Sequence, residues 1–362
     1  ISIQVAWVSG SRRICNIPLD IKSKRKPAMQ KKLKIGVIGL GVGEQHIIGY
    51  QRIPNIEVTD ICDQDPSVLK AVGDRNGISN RHQNYKRITE NPDIDVVSIA
   101  SYDDYHAVQA VSAFENGKHV MIEKPLALNR YDAEAILRAQ QDSGRYLSSN
   151  LILRKSPRFQ ELKTWIDKGH FGEIVSIEGD YLHQILWKLT QGWRGRMEFY
   201  CVTYGGGIHM IDLMRWLLGE EIAEVCGMSN KKLTQGSRFN FDDTVTNLLK
   251  FESGTVGRTT SNLGAQRPQI HGLAVYGTEK TFINDIPHAK LFHGDNNEDL
   301  EIVETTYPGI DKFSLLPNFI SAIRDDKEPE VSAKDVFRVM DVCFACYESL
   351  EAKRTLDVVY LI

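Results

Sequence analysis

The chain of 362 residues carries 44 Lys and Arg against 47 Asp and Glu, a formal net charge of −3, with 42% apolar and 25% charged residues. These values exclude collagen-like, low-complexity and intrinsically disordered chains. At roughly 150 residues per domain the length suits two domains, each with a sizeable core. No apolar run approaches the roughly 18 residues that a membrane-spanning helix needs. The six Cys, at 15, 62, 201, 226, 343 and 346, are too scattered for a disulfide scaffold, so a reducing, cytoplasmic compartment is expected.

Residues 1–34 hold nine Lys/Arg and one Asp, so the rest of the chain balances to −11. An acidic body argues against nucleic acid as a partner, and nothing suggests a membrane. The basic head, with Lys22-Ser23-Lys24-Arg25-Lys26, could be a targeting or phosphate-binding arm. The first Met is Met29, however, and residues 1–30 read as an extension, expected to be disordered, ahead of the folded body. The opening Ile1–Val8 has no preceding basic region and does not read as a secretory signal.

From Lys34 to Asn150, short apolar runs alternate with amphipathic stretches. Strands are expected at Ile35–Ile38, Ile56–Cys62, Val96–Ala100 and His119–Ile122. Helices are expected at Glu44–Arg52, Pro66–Asn76, Tyr105–Asn116 and Asn129–Ser143. This alternation predicts βαβ units in a doubly wound parallel sheet, an α/β Rossmann domain over 31–150. The texture then changes. A helix at Ser156–Lys168, a strand at Glu173–His183 and a helix at Gly207–Leu218 precede β-like runs at Thr244–Phe251, Thr255–Asn262 and Ile270–Tyr276. They predict an α+β substrate and oligomerisation domain over 151–332, with a large, mostly antiparallel open sheet. A last helix, Ala333–Ala352, presents Val336, Val339, Met340, Cys343, Tyr347 and Leu350 on one face, within a final segment, 333–362.

Gly39-Leu40-Gly41-Val42-Gly43 follows the first strand and opens a helix. Such glycines let backbone N–H groups approach a pyrophosphate at a helix N-terminus. The third slot of the usual G-x-G-x-x-G is Glu44, which implies a contracted turn and requires this carboxylate to point away. Asp63 ends the second strand, where a carboxylate accepts from ribose hydroxyls. Asp65 follows and no cation adjoins them, which favours NAD over NADP. A glycine-rich turn with an acidic second-strand end also fits S-adenosylmethionine methyltransferases. Those place an acidic residue just before the first Gly, where this chain has Val37 and Ile38.

Glu123-Lys124-Pro125 lies at a strand's carboxyl end, where α/β sheets bind ligands. A Lys there can share a carbinol proton as hydride moves, and burial lowers its pKa toward the working range. Glu123 could pin the ammonium or contact the cofactor. Taken with Gly39–Gly43, Asp63 and Ser101-Tyr102-Asp103-Asp104-Tyr105-His106, this motif resembles the Gfo/Idh/MocA oxidoreductase family from about Lys32 to the C-terminus.

The resemblance implies a Rossmann domain, a second domain with a large open sheet, and a final helix returning to the first domain. It implies a homodimer or homotetramer built through that sheet. Lys124 matches the catalytic lysine and Glu123 its acidic neighbour. Ser101 and His106 match the ends of a segment passing along the nicotinamide, with Tyr102 where that segment has Pro. His209 and Asp212 match a Gly-x-His-x-x-Asp helix pattern beginning at Gly207. Many members carry a catalytic Asp four residues before this His; here the position is Gly205, so His209 or Lys124 carries the proton alone, and Tyr204 could add a hydroxyl. Asp212 could fix the His209 tautomer, or pair with Arg215.

For substrate, Asn150 and Arg154 follow the last Rossmann strand, Tyr181 ends a strand, and Trp193-Arg194 lies in a Gly-rich loop. Aromatic rings with Arg suit a sugar carrying an anionic group. Arg154, Arg158 and Arg194 could equally form ordinary ion pairs. Cys343-x-x-Cys346 reads as core, and His82, His119, His170, His183, His271, His288 and His293 show no metal-ligand spacing, so no metal is expected. The expectation is an NAD-dependent dehydrogenase acting on a secondary alcohol of a sugar, sugar nucleotide or polyol, with Lys124 as acid/base. Two alternatives stay open: tightly held, recycled NAD serving glycoside elimination or epimerisation, and a non-catalytic NAD or sugar sensor.

Overall fold

Val- and Ile-rich runs, each followed by a helix, build the first lobe. Its elements are β1 (Leu33–Ile38), α1 (Gly43–Gln51), β2 (Ile56–Cys62), α2 (Pro66–Asn76), β3 (Asn80–His82), α3 (Lys86–Thr89), β4 (Val96–Ile99), α4 (His106–Glu115), β5 (His119–Ile122), α5 (Arg130–Ser143) and β6 (Leu147–Ser149). The computed structural model describes residues 32–295 and 299–362, so the basic head lies outside the described residues. The six strands pair in parallel in the order β3-β2-β1-β4-β5-β6. The order reverses on either side of β1, and the crevice at the strands' carboxyl ends there is where such sheets bind ligands. All four residues of β4 are buried, as expected of a strand covered on both faces.

The second lobe contains α6 (Pro157–Asp167), β7 (Ile174–Leu182), α7 (Leu186–Thr190), α8 (Ile208–Leu218), β8 (Ile222–Asn230), β9 (Thr244–Phe251), β10 (Val256–Asn262), β11 (Ile270–Gly277), β12 (Thr281–Asn284), β13 (Ala289–Phe292), β14 (Leu300–Val303), α9 (Leu316–Asp325), α10 (Ala333–Ala352) and β15 (Leu356–Asp357). Its nine strands run β14-β13-β12-β11-β7-β10-β9-β8-β15. The sheet is antiparallel except that β7 and β10 pair in parallel.

Two details depart from the sequence expectation. Helix α8 starts at Ile208, behind a wide π-type turn over Thr203–Gly207. Helix α10 is buried on more than the expected face: Phe337, Val342, Phe344 and Ala345 are buried besides Val336, Val339, Met340 and Cys343. The reason is that α10 is sandwiched. It packs on α5 and β6 of the first lobe and on α8 and β8 of the second. A capping box between Ser332 and Asp335 fixes its start.

A buried charge cluster locks α8 in place. Arg154 donates through Nε and Nη2 to the Asp212 carboxylate (3.0 and 2.6 Å) and through Nη2 to Asp335 of α10 (3.1 Å). The planar fork matches Asp212 bidentately. Removing one partner of a buried pair leaves the other charge uncompensated. Arg154→Met should therefore lose about 3–5 kcal/mol of stability in chemical denaturation, with the NAD-binding turn left intact.

Candidate active site

The glycine turn leads from β1 into α1. Gly39 has φ +81°, and a Cβ there would meet Ser101 N at 2.4 Å, so only glycine lets the two loops touch. A Cβ on Gly41 would meet nothing within 4 Å, which leaves the turn open to a ligand. No side chain caps α1 at Val42, so its first N–H groups are available to an anion. Glu44 points away: Arg75 grips it bidentately at 2.9 Å and Asn76 adds a bond, holding its carboxyl below the usual range. Asp63 accepts from Leu40 N (2.8 Å) and Asp65 N (2.9 Å). Those bonds fix the carboxylate at the end of β2 and leave it further acceptor positions. These features fit a dinucleotide, with Leu40 and Val42 supplying backbone around the glycines.

The Glu123-Lys124-Pro125 turn ends β5. Glu123 accepts from His46 Nε2 (3.2 Å) and Asn150 Nδ2 (2.7 Å), while His46 Nδ1 meets the Ser98 hydroxyl (2.9 Å). Burial alone would raise Glu123, but these hydrogen bonds and the Lys124 charge hold it down at about 2. Lys124 donates through Nζ to the carbonyl of Gly205 (2.7 Å), across the cleft. Burial, then the charges of Arg194 and Lys312, push the ammonium down to about 8 against the pull of Glu123 and Asp103. His106 lies between the carbonyls of Pro125 (2.6 Å) and Ser101 (3.2 Å), and Ser101 Oγ donates to Gln109 (2.7 Å). The Ser101 loop and the lysine turn are thus tied together.

The facing wall belongs to the second lobe. His209, on the first turn of α8, stacks on Tyr181 (centroids 6.1 Å apart, 22° between planes) and meets His271 edge-on. Its Nδ1 is buried and has no partner among the described residues. Burial, with Lys124, Lys312 and His271 nearby, holds His209 well below the usual imidazole range, so the ring is neutral. Tyr200 fills the space beside Gly205: a Cβ on Gly205 would lie 2.1 Å from its hydroxyl oxygen. Burial raises Tyr200, which keeps that hydroxyl protonated. Arg194 lies over Trp193 (4.3 Å) and Tyr200 (5.9 Å), and Trp193 stacks on Tyr102 of the first lobe (4.6 Å, 20°).

Several sequence expectations are corrected here. Asp212 orients no histidine: it is taken by Arg154, and Arg215 pairs with Glu221 instead. Arg154 is consequently unavailable to substrate. The Asn150 side-chain N–H groups are likewise taken, by Glu123 and the Lys312 carbonyl (2.8 Å), so this residue positions the lysine turn. Tyr204 packs among Phe199, Phe344 and Tyr347, against α10, and offers its hydroxyl to neither Lys124 nor His209. Arg158 is neither a surface ion pair nor a substrate contact; it is buried on the loop carbonyls of Thr305, Asp285 and Pro287. His271 and His183, read as loop or surface residues, face Tyr181 in the cleft wall. Sequence reasoning missed His46, Tyr200, His271 and Lys312. Tyr200 had one usable signal, its position five residues before Gly205.

Known proteins agree with this architecture. Sequence models of one family match twice: an oxidoreductase family with an NAD-binding Rossmann fold over residues 33–151, and the Gfo/Idh/MocA C-terminal domain over 159–283. Together they span more than half of the chain, which belongs to the Gfo/Idh/MocA family and is an NAD-dependent dehydrogenase. Levoglucosan dehydrogenase of Pseudarthrobacter phenanthrenivorans is 27% identical over 288 residues, covering 70% of this chain and 73% of that enzyme. Myo-inositol 2-dehydrogenase of Thermotoga maritima is 23% identical over 342 residues, covering 90% and 98%. Glycosyl hydrolase family 109 protein 1 of Bacteroides thetaiotaomicron is 26% identical over 346 residues, covering 78% and 73%. A solved structure of levoglucosan dehydrogenase in complex with NADH shares the fold, with TM-score 0.82 at 24% identity over 91% of this chain and all of that one.

Asp63 and Asp65 would repel a 2′-phosphate. NAD should bind at least about tenfold more tightly than NADP, a difference of roughly 1.4 kcal/mol. In calorimetric titration, Asp63→Ala should weaken NAD and erase most of that preference.

Proposed function

We propose that this cleft exchanges hydride at a secondary alcohol of a sugar, sugar nucleotide or polyol, with Lys124 as the acid/base. The observation that carries the reading is the half-buried Lys124 amine, held on the Gly205 carbonyl between the two lobes. NAD, when bound, supplies the hydride acceptor or donor. The class of substrate is supported by the relatives named for levoglucosan and inositol.

In the oxidising direction Lys124 Nζ takes the proton from the substrate hydroxyl; in the reducing direction it returns one. A group with a pKa of about 8 is suited to both near neutral pH. The hydrogen bond to the Gly205 carbonyl keeps the amine in one position, so little reorganisation accompanies transfer. Neutral His209 offers a second hydrogen-bonding group, since its Nδ1 is unpartnered. The protonated Tyr200 hydroxyl stands where a side chain at position 205 would begin, and we assign it to hold the substrate oxygen by donating a hydrogen bond. The family's aspartate is replaced here by a donor that does not titrate near neutrality.

A second reading is supported by the glycosyl hydrolase relative: NAD stays bound and is recycled during glycoside cleavage. It requires glycoside loss without net NADH.

Lys124→Ala should bind NAD normally and lose about 10²–10⁴-fold in kcat. Wild-type oxidation should rise with pH and level off above about 8, because the neutral amine is the base; reduction should fall over the same range. Steady-state rates at 340 nm from pH 6 to 10 test both statements. A flat profile, or an active Lys124→Ala, would remove lysine from the reaction. Tyr200→Phe should lower kcat/KM by roughly 10-fold or more while preserving the wild-type pH midpoint, since a hydrogen bond to a reacting oxygen is lost and no titrating group is.

A further inference from the structure

Three cations converge on the cleft besides Lys124: Lys188 of α7, Arg194 in the turn that follows, and Lys312 ahead of α9. None of them makes an ion pair among the described residues. Lys188 lies over the Trp187 ring (5.6 Å), Arg194 lies over Trp193 and Tyr200, and Lys312 is anchored through its carbonyl to Asn150, the residue that also holds Glu123. The charges sense one another. Lys188 is lowered by burial and then by Arg194 and Lys312. The wall histidines are depressed in the same way, His183 to about 4 and His271 to about 3, by burial and then by these lysines.

Among the described residues, the carboxylates that act on Lys124 are Glu123 and Asp103, with Asp104 beside the latter. Glu123 is already occupied by His46 and Asn150. Asp103 is buried, and burial raises it against the pull of His106, Arg194 and Lys124. Holding like charges together with too few counter-charges costs energy, and an arriving anion recovers it. A neutral polyol recovers none. The Arg194 guanidinium lies with its face on an indole and also meets the Tyr200 hydroxyl, and its fork of N–H donors has the geometry that carboxylate and phosphate accept.

We infer that the substrate is a sugar bearing an anionic group, a carboxylate or a phosphate, seated toward Arg194, Lys188 and Lys312 while its reacting carbinol lies at Lys124. This rests on the dehydrogenase reading above for its reacting end.

The test pairs neutral hexoses and inositols with their carboxylate and phosphate derivatives, assayed with NAD⁺ and the full chain. Glucose, glucuronate and glucose 6-phosphate form one such triplet, and the acid and phosphate arms separate the two sources of charge. Anionic members should show at least tenfold higher kcat/KM than their neutral partners, with a KM that rises with salt. Arg194→Gln and the exposed Lys312→Gln should each bring that ratio toward one. A neutral sugar turned over as well as its anionic partner overturns the inference and leaves the dehydrogenase reading standing. So do variants that raise the KM for NAD with the ratio unchanged, since the charges would then serve the cofactor. If no sugar is oxidised, the proposed oxidation of a sugar alcohol at Lys124 fails. Thermal shift of the NADH-loaded protein then decides the inference: stabilisation by gluconate or glucose 6-phosphate over sorbitol, lost in Arg194→Gln, supports it, and equal shifts overturn it.

Discussion

An amine that must be half-buried and yet remain exchangeable with a proton sets the terms for everything around it. Desolvation disfavours the charged form of Lys124, and the neighbouring cations add to that pressure. A single neutral carbonyl, that of Gly205, takes its hydrogen bond. Had a carboxylate been placed there, the ammonium would be stabilised and its pKa held high. Glu123 is close enough to oppose the shift, but His46 and Asn150 absorb its hydrogen-bonding capacity. The strength of each neighbour is thus moderated by a partner of its own.

This arrangement depends on elements from both lobes. The lysine comes from the end of β5, its acceptor from the turn ahead of α8, and the position of α8 from the Arg154–Asp212–Asp335 cluster beneath it. The aromatic pair Tyr102–Trp193 joins the lobes a second time, on the side of Arg194. A buried ion cluster adds little net stability compared with apolar packing. Its geometric effect is considerable, because a forked contact admits only one placement of the helix that carries His209.

The first lobe was legible because its signals are local. Alternating apolar runs and helices, a glycine turn and a strand-end carboxylate all lie within neighbouring residues. The Glu-Lys-Pro turn was legible for the same reason. What the sequence hid is set by contacts across long separations. Asp212 looked like a partner of His209 or Arg215, one turn away, yet its partner is Arg154, 58 residues earlier. Tyr204 looked closer to the chemistry than Tyr200, but the wide turn at Thr203–Gly207 sends it toward α10. His271 and Lys312 arrive from a strand and a loop that carry no motif, and charge convergence of that kind has no one-dimensional signature.

The sandwiched position of α10 bears on how the protein comes into being. The first lobe completes its chain at β6, but α5 and β6 remain uncovered on one side until Ala333–Ala352 packs on them. During synthesis the ribosome must deliver the whole second lobe before that surface closes. The NAD-binding lobe is therefore made ahead of the second lobe yet finished only after it, because the flank that α10 covers closes last.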